Sequence, residues 1–245
     1  MKAWVKYDEV SEKEGLFVIE PLTKGLGLTI GNSLRRVLLS SLEGVGIVSV
    51  KISGVNHEFS TLPNVVEDVI EIICNLKKII FKITQESEDN DIKVATIKAS
   101  NKKVYTAADI NCNGHLEILN KDVVLFEVTD QTDFEIELHI KKGVGYQSAS
   151  DNQSENNSSD VIKLDTSYSP IVKINHDINL IRVGKELDHD SLKLKVITNG
   201  IKTPIDCVKD AVKLISDHLL LFDTINEKPE IDNTEEANLE DMKLQ

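Results

Sequence analysis

The chain has 245 residues, enough for one large domain or two small ones, and 40% of them are hydrophobic, so a sizeable core can form. Lysine and arginine number 28 against 41 aspartate and glutamate, and the resulting charge of −13 repels phosphate backbones and disfavours nucleic acid as a direct partner. No run approaches the roughly 20 apolar residues of a membrane span, and the start MKAWVKYDEV lacks a signal peptide's apolar core, so a cytosolic or comparable compartment is expected.

Taken in chain order, LFVIEPL, GIVSVKI, IIFKI, IKVATIKA, VVLFEVT, FEIELHIKK, PIVKIN and LKLKVIT alternate or cluster apolar side chains and are rich in Val and Ile. They predict a mostly antiparallel sheet structure, with three helices set among the strands. The first helix is expected after Gly31, capped by Asn32 or Ser33 and running to about Leu42 before Gly44. Leu34, Val37, Leu38, Ser41 and Leu42 share its apolar face. Leu39 falls outside that stripe on the side of Arg35, and Arg36 points nearly opposite the core. An arginine and leucine on an outer face suit an acidic protein partner, or else are solvated helix residues.

The second helix is expected after Pro63, with Asn64 as cap and Glu67 three residues on. Its stripe runs Val65, Val66, Val69, Ile70, Ile72, Ile73 and Leu76. The third has Thr203 as cap and Pro204 in its first turn, and continues to about Phe222. Val208, Ala211, Val212, Ile215, Leu219 and Phe222 form a stripe that Cys207, Leu214 and Leu221 widen round the cylinder. So wide an arc packs either against its own domain plus a second body, or deep within its own core. Residues 148–160 hold one apolar side chain in thirteen, and the tail from Asn226 carries seven acidic and two basic residues; both are expected to be mobile.

The stretch TKGLGLTIGNSLRR could cradle a phosphate at a helix start through Gly25, Gly27, Gly31 and Arg35. Its G-x-G-x-x-x-G spacing fits neither a dinucleotide fingerprint nor a P-loop, so a tight strand-to-helix turn is the other reading. No catalytic constellation is expected. His57 and Glu58 adjoin on what reads as a strand and would point to opposite faces, while His115, His139, His176, His189 and His218 are scattered without metal-ligand spacing. Cys74, Cys112 and Cys207 stand far apart and read as free thiols, Cys74 and Cys207 as small buried hydrophobes. No metal or cofactor is expected on this chain.

The run FVIEPLTKGLGLTIGNSLRRVLLSSL, continuing through GVGIVSVKISGVNHEFSTLPNVVEDVIEIICNLKKI, closely resembles the alpha subunit of bacterial and plastid DNA-directed RNA polymerase. TAADI, GVGYQSAS, YSP at Tyr168 to Pro170, TNG at Thr198 to Gly200 and the ending LLLFD follow in the same order, so the likeness spans almost all of residues 10–223. Ser33 stands where the family usually has Ala, and Leu28 where it has a polar residue.

The resemblance implies an α+β fold: a dimerisation subdomain of two long helices on an antiparallel sheet, formed by residues 1–43 and 171–226, with an inserted mainly β subdomain at 44–170 and an acidic disordered tail at 227–245. It implies a homodimer on which the beta and beta-prime subunits assemble, a role in a nucleotidyltransferase without catalytic residues of its own, and a place in the cytoplasm or plastid stroma. Leu34, Leu38, Val212, Ile215, Leu219 and Phe222 would line the dimer interface. Arg36 is similar to the family's principal beta contact; Arg35, Leu39, His57, Glu58, Lys77, Tyr168 and Pro170 are the other expected contacts to the large subunits. The family's carboxy-terminal DNA-binding domain would follow the tail, and either the sequence stops at the linker or the domain is lacking; without it, direct DNA binding is not expected.

Overall fold

A computed structural model describes residues 3–84, 92–152, 160–183 and 186–224. Expectations for residues 153–159 and for the tail from residue 225 lie outside the described residues. In chain order the elements are β1 (Trp4–Ser11), β2 (Glu14–Thr23), α1 (Leu26–Ser40), β3 (Glu43–Ile52), α2 (Val69–Leu76), β4 (Phe81–Ile83), β5 (Lys93–Ala99) and β6 (Lys103–Thr106). They continue with β7 (Leu116–Ile118), β8 (Val124–Val128), β9 (Phe134–Val144), β10 (Tyr146–Gln147), β11 (Val161–Lys163), β12 (Thr166–Ser167), β13 (Ile171–Val183), β14 (Glu186–Thr198) and α3 (Pro204–Leu220).

The fold is α+β. One four-stranded sheet has the order β1-β2-β14-β13, so it joins the two ends of the chain; a second, β11-β3-β9-β5, belongs to the middle, with β4-β7, β6-β8 and β10-β12 as two-stranded ribbons. The pairings between these strands are antiparallel. Strand alternation sets which face is buried. Leu192, Leu194 and Val196 of β14 face α1 and α3 with no exposure, while Lys193 and Lys195 between them stand outside. On β9, Phe134, Ile136, Leu138 and Ile140 point inward and Glu135, Glu137 and His139 outward. Burying each such inward side chain is worth roughly 1.5–3 kcal/mol, which is why the register is strongly specified.

The apolar interior divides in two. Phe17, Leu34, Leu38, Leu42, Ile174, Leu194, Val196, Cys207 and Ala211 form one cluster between the first sheet and its helices. Val50, Ile72, Leu76, Phe81, Phe126, Ile136 and Leu138 belong to the other, which α2 closes over the second sheet.

Two helix starts differ from the sequence reading. α1 begins at Leu26, directly after Gly25, which is left-handed at φ 87°, so Gly27 and Gly31 lie inside the helix rather than before it. α2 begins at Val69, where the Asp68 carboxylate accepts from Glu71 N at 3.0 Å. Asn64 instead sits at φ 62°, and Val65 and Val66 run beside β8, with Val66 N donating to Glu127 O at 3.0 Å. The third helix starts as read, with Thr203 Oγ1 accepting from Asp206 N at 3.2 Å and Pro204 in the first turn. The sequence reading also missed β1, whose residues are mostly exposed on both faces and so carry no one-sided apolar pattern.

Candidate functional site

The glycine-rich stretch is resolved by a residue far from it in sequence. Asp190 on β14 is 4% exposed, and its Oδ2 accepts from Gly25 N at 2.8 Å and Gly27 N at 3.1 Å. The anion at this helix start is therefore the chain's own carboxylate, which satisfies the free amides and complements the helix dipole. The amides that a phosphate would need are occupied. A Cβ on Gly27 would come within 3.0 Å of Asp190, and one on Gly31 within 3.0 Å of Leu192 and His176, so these glycines let α1 lie close on the sheet.

From that seat α1 turns Leu34 and Leu38 into the core, at 4% and 0% exposure. Sequence places both at a dimer interface; packing against β13, β14 and α3 removes them from any outer surface. Arg35 reaches back, its Nη1 donating to Ile174 O of β13 at 3.0 Å. Arg36 and Leu39 stay exposed. Arg36 does not face away from everything else: with Val37, Leu214, Ile215, Leu219 and Phe222 it lines a groove of about 440 Å³ between α1 and α3.

Along the outer side of α3 and the 3-10 turn that follows it, Leu221–Thr224, apolar side chains stand bare. Val212 is 50% exposed, Leu219 60% and Phe222 68%, with Leu220 and Leu221 also exposed and Ile215 half-buried. A second apolar groove, about 510 Å³, lies between α3 and the first two strands and is lined by Val5, Tyr7, Phe17, Ile205, Val208 and Val212. Val5 and Tyr7 are absent from the sequence reading because β1 is.

The remaining expected contacts separate. His57 and Glu58 lie exposed in a turn rather than on a strand, with His57 Nδ1 paired to Ser60 Oγ at 3.1 Å. Lys77 caps the end of α2 and lines a cleft of about 460 Å³ together with Tyr146, Ser167, Ser169 and Asn199. Tyr168 and Pro170 are buried, Tyr168 at 2% exposure, so their side chains are interior packing and not contact surface.

One polar chain is illegible in sequence. Ser49 Oγ and His139 Nδ1 lie 2.7 Å apart, and His139 Nε2 is 2.9 Å from Glu137 Oε1. The order suggests a nucleophile and base, yet Ser49 is 5% exposed and no substrate could reach its hydroxyl. The chain ties β3 to β9. Cys74 is exposed, contrary to its expected burial; Cys207 is buried, and burial pushes its thiol up to about 11. Among the described residues no group of three or more His, Cys, Asp or Glu is placed to hold a metal ion, and no helix is long and apolar enough to cross a membrane.

Two apolar grooves flanking a bare helix, with arginine at one rim, describe a protein built to be covered by other proteins. Comparison with known proteins gives this class a definite place. Residues 50–169 match the family described as the RNA polymerase Rpb3/RpoA insert domain. The chain is 40% identical over 227 residues, 93% of its length, to the DNA-directed RNA polymerase subunit alpha of Carboxydothermus hydrogenoformans and to that of Moorella thermoacetica, covering 71% of each. It is likewise 40% identical over 215 residues to the subunit alpha of Porphyromonas gingivalis, with 87% of this chain and 64% of that one aligned. The chain belongs to the alpha-subunit family of DNA-directed RNA polymerase.

Proposed function

We propose that two copies of this chain pair through α3 and that the pair is the platform on which the beta and beta-prime subunits assemble. The observation that carries the pairing is the bare apolar ridge of Val212, Leu219 and Phe222 beside two apolar grooves on the same chain. One copy thus holds both the knobs and the holes, which is what a two-fold symmetric interface needs. Residues 1–43 and 171–226 form the pairing subdomain and 44–170 the insert, a division supported by the two separate apolar clusters. Arg36, Leu39, His57, Glu58 and Lys77 remain exposed and are the residues offered to the large subunits. Identical copies must meet different partners, so the asymmetry comes from the partners. The chain contributes architecture to a nucleotidyltransferase and no reacting group or cofactor, and its negative charge argues against direct DNA contact.

Obligate homodimer interfaces commonly bury about 2,000 Å² or more, so light scattering on dilute protein is expected to give about twice the chain mass. Leu219→Asp, by burying an unpaired charge, should yield monomers. Arg36→Ala should leave the dimer whole and abolish co-purification with beta. Loss of both properties in Arg36→Ala would place this arginine in the pairing contact, beside Leu219 whose groove it shares, and a wild-type monomer would sink the platform.

A further inference from the structure

The chain has two Asn-Gly bonds, Asn113–Gly114 and Asn199–Gly200. A glycine after asparagine leaves its amide nitrogen open to the neighbouring carboxamide carbon, because no Cβ screens the approach. The fold treats the two bonds differently. Asn113 and Gly114, both exposed, form the centre of a turn ahead of β7 at φ 48° and 77°, closed by His115 N donating to Cys112 O at 3.2 Å. Asn113 N donates to Asn111 Oδ1 at 3.2 Å, Thr84 Oγ1 to Gly114 O at 3.2 Å and Asn113 Nδ2 to Val94 O at 3.4 Å, each longer than the roughly 2.9 Å typical of such bonds. Among the described residues the Gly114 amide donates to nothing, and the Asn113 carboxamide oxygen accepts nothing.

Asn199 follows β14 and is half-buried. Its N donates to Pro170 O at 2.9 Å, its Oδ1 accepts from Ile201 N at 3.0 Å, and Thr198 N just before it donates to Lys13 O at 2.8 Å. To carry its carboxamide carbon to the Gly200 nitrogen, Asn199 must release the Ile201 bond and rotate within backbone that is tied on both sides. At Asn113 the same rotation disturbs only long bonds at an exposed turn.

We propose that Asn113 is a site of spontaneous deamidation, and that the fold protects Asn199 from the same reaction. The Gly114 nitrogen gives its proton to solvent base and attacks Asn113 Cγ; the new C–N bond closes a five-membered succinimide as the Cγ–Nδ2 bond breaks and ammonia leaves. Water then opens the ring at either of its two carbonyl carbons. One opening leaves aspartate, the other an isoaspartyl link in which the main chain runs through the former side chain. Either product adds a carboxylate to a chain already at −13. The isoaspartyl link also lengthens the turn next to Asn111, whose N and O pair with Thr96 of β5 at 2.8 and 3.0 Å, so ageing there works on the edge of the second sheet. None of the residues proposed above for pairing or docking lies in this turn, and the modification stands whether or not that reading holds.

The test incubates the full chain at mildly alkaline pH, folded and, in parallel, unfolded in guanidinium, and follows the peptides that contain Asn113 and Asn199 by mass. In the folded chain Asn113 should convert at least about tenfold faster than Asn199, with aspartyl and isoaspartyl products both present, because only Asn113 is free to reach the attacking geometry. In guanidinium the two should convert within about threefold of each other, since the bond is the same and the fold no longer separates them. Asn113→Gln, whose ring needs one more atom, should stop the mass gain at that position and leave the rate at Asn199 unchanged. A folded ratio below about tenfold overturns the proposal, and so does a tenfold ratio that persists in guanidinium. An aspartyl product without its isoaspartyl counterpart would also overturn it, by showing that water attacks the side chain directly.

Discussion

Asp190 shows what a single side chain contributes here and why sequence could not reveal it. The spacing of Gly25, Gly27 and Gly31 leaves phosphate cradle and plain turn as alternatives; the deciding carboxylate lies 163 residues from Gly27. Nothing local marks it, since LDHDS reads as an ordinary polar strand start. The carboxylate is buried and accepts two amides at a helix N-terminus, each bond charge-assisted. Its removal leaves those amides unpaired, so Asp190→Ala should lose about 2–3 kcal/mol, read from the urea midpoint at constant m. An unshifted midpoint would mean that water replaces the carboxylate without cost. Tyr168 makes the same point in reverse: the YSP motif singles it out, but only the structure shows its ring facing inward.

Among elements, legibility follows one-sidedness. All eight segments read from alternating or apolar runs contain strands: β9 buries one face, so period-two patterning survives there, whereas β3 buries Ile47 to Val50 in a row and reads as an apolar run. β1 carries no such pattern and escapes the reading. Helix α3 is legible from Thr203 onward because cap and proline sit together, whereas α1 starts where the distant Asp190 seats it and α2 starts at a local cap, Asp68, that competes in sequence with Asn64. At α2 two rival caps can be told apart. Asp68→Ala removes the acceptor for Glu71 N and should cost about 1 kcal/mol, whereas Asn64→Gly keeps the positive φ that the turn requires and should change stability by less than about 0.5 kcal/mol. Thermal midpoints of the two variants decide it, and equal losses would mean that Asn64 supports the helix start after all.

For the whole molecule, the division into a pairing part and an insert is what the family resemblance implies, and no hydrophobic run says that glycines 44 and 143 face each other beside Tyr168. The burial of single groups within each core is read out by pH. Cys207 lies wholly inside the first cluster, and loss of solvation pushes its thiol from 9.0 to about 11, with the nearby Lys202 ammonium opposing the shift. Burial likewise raises the Tyr168 and Tyr7 hydroxyls above their usual 10.0. A folded value above the unfolded one means that the folded chain holds the proton longer. The contribution is complete below pH 9, where both states keep the thiol neutral, and fades as pH rises toward 11 while only the unfolded state ionises. From this thiol alone the stability should fall by roughly 2 kcal/mol between those limits. Urea titrations of wild type and Cys207→Ala at matched pH separate the slope from the cavity that the substitution leaves, since the cavity lowers stability equally at every pH. The variant should show a shallower decline. A slope equal to that of wild type would assign the alkaline loss to the two tyrosines and mean that the thiol ionises over the same pH range in both states.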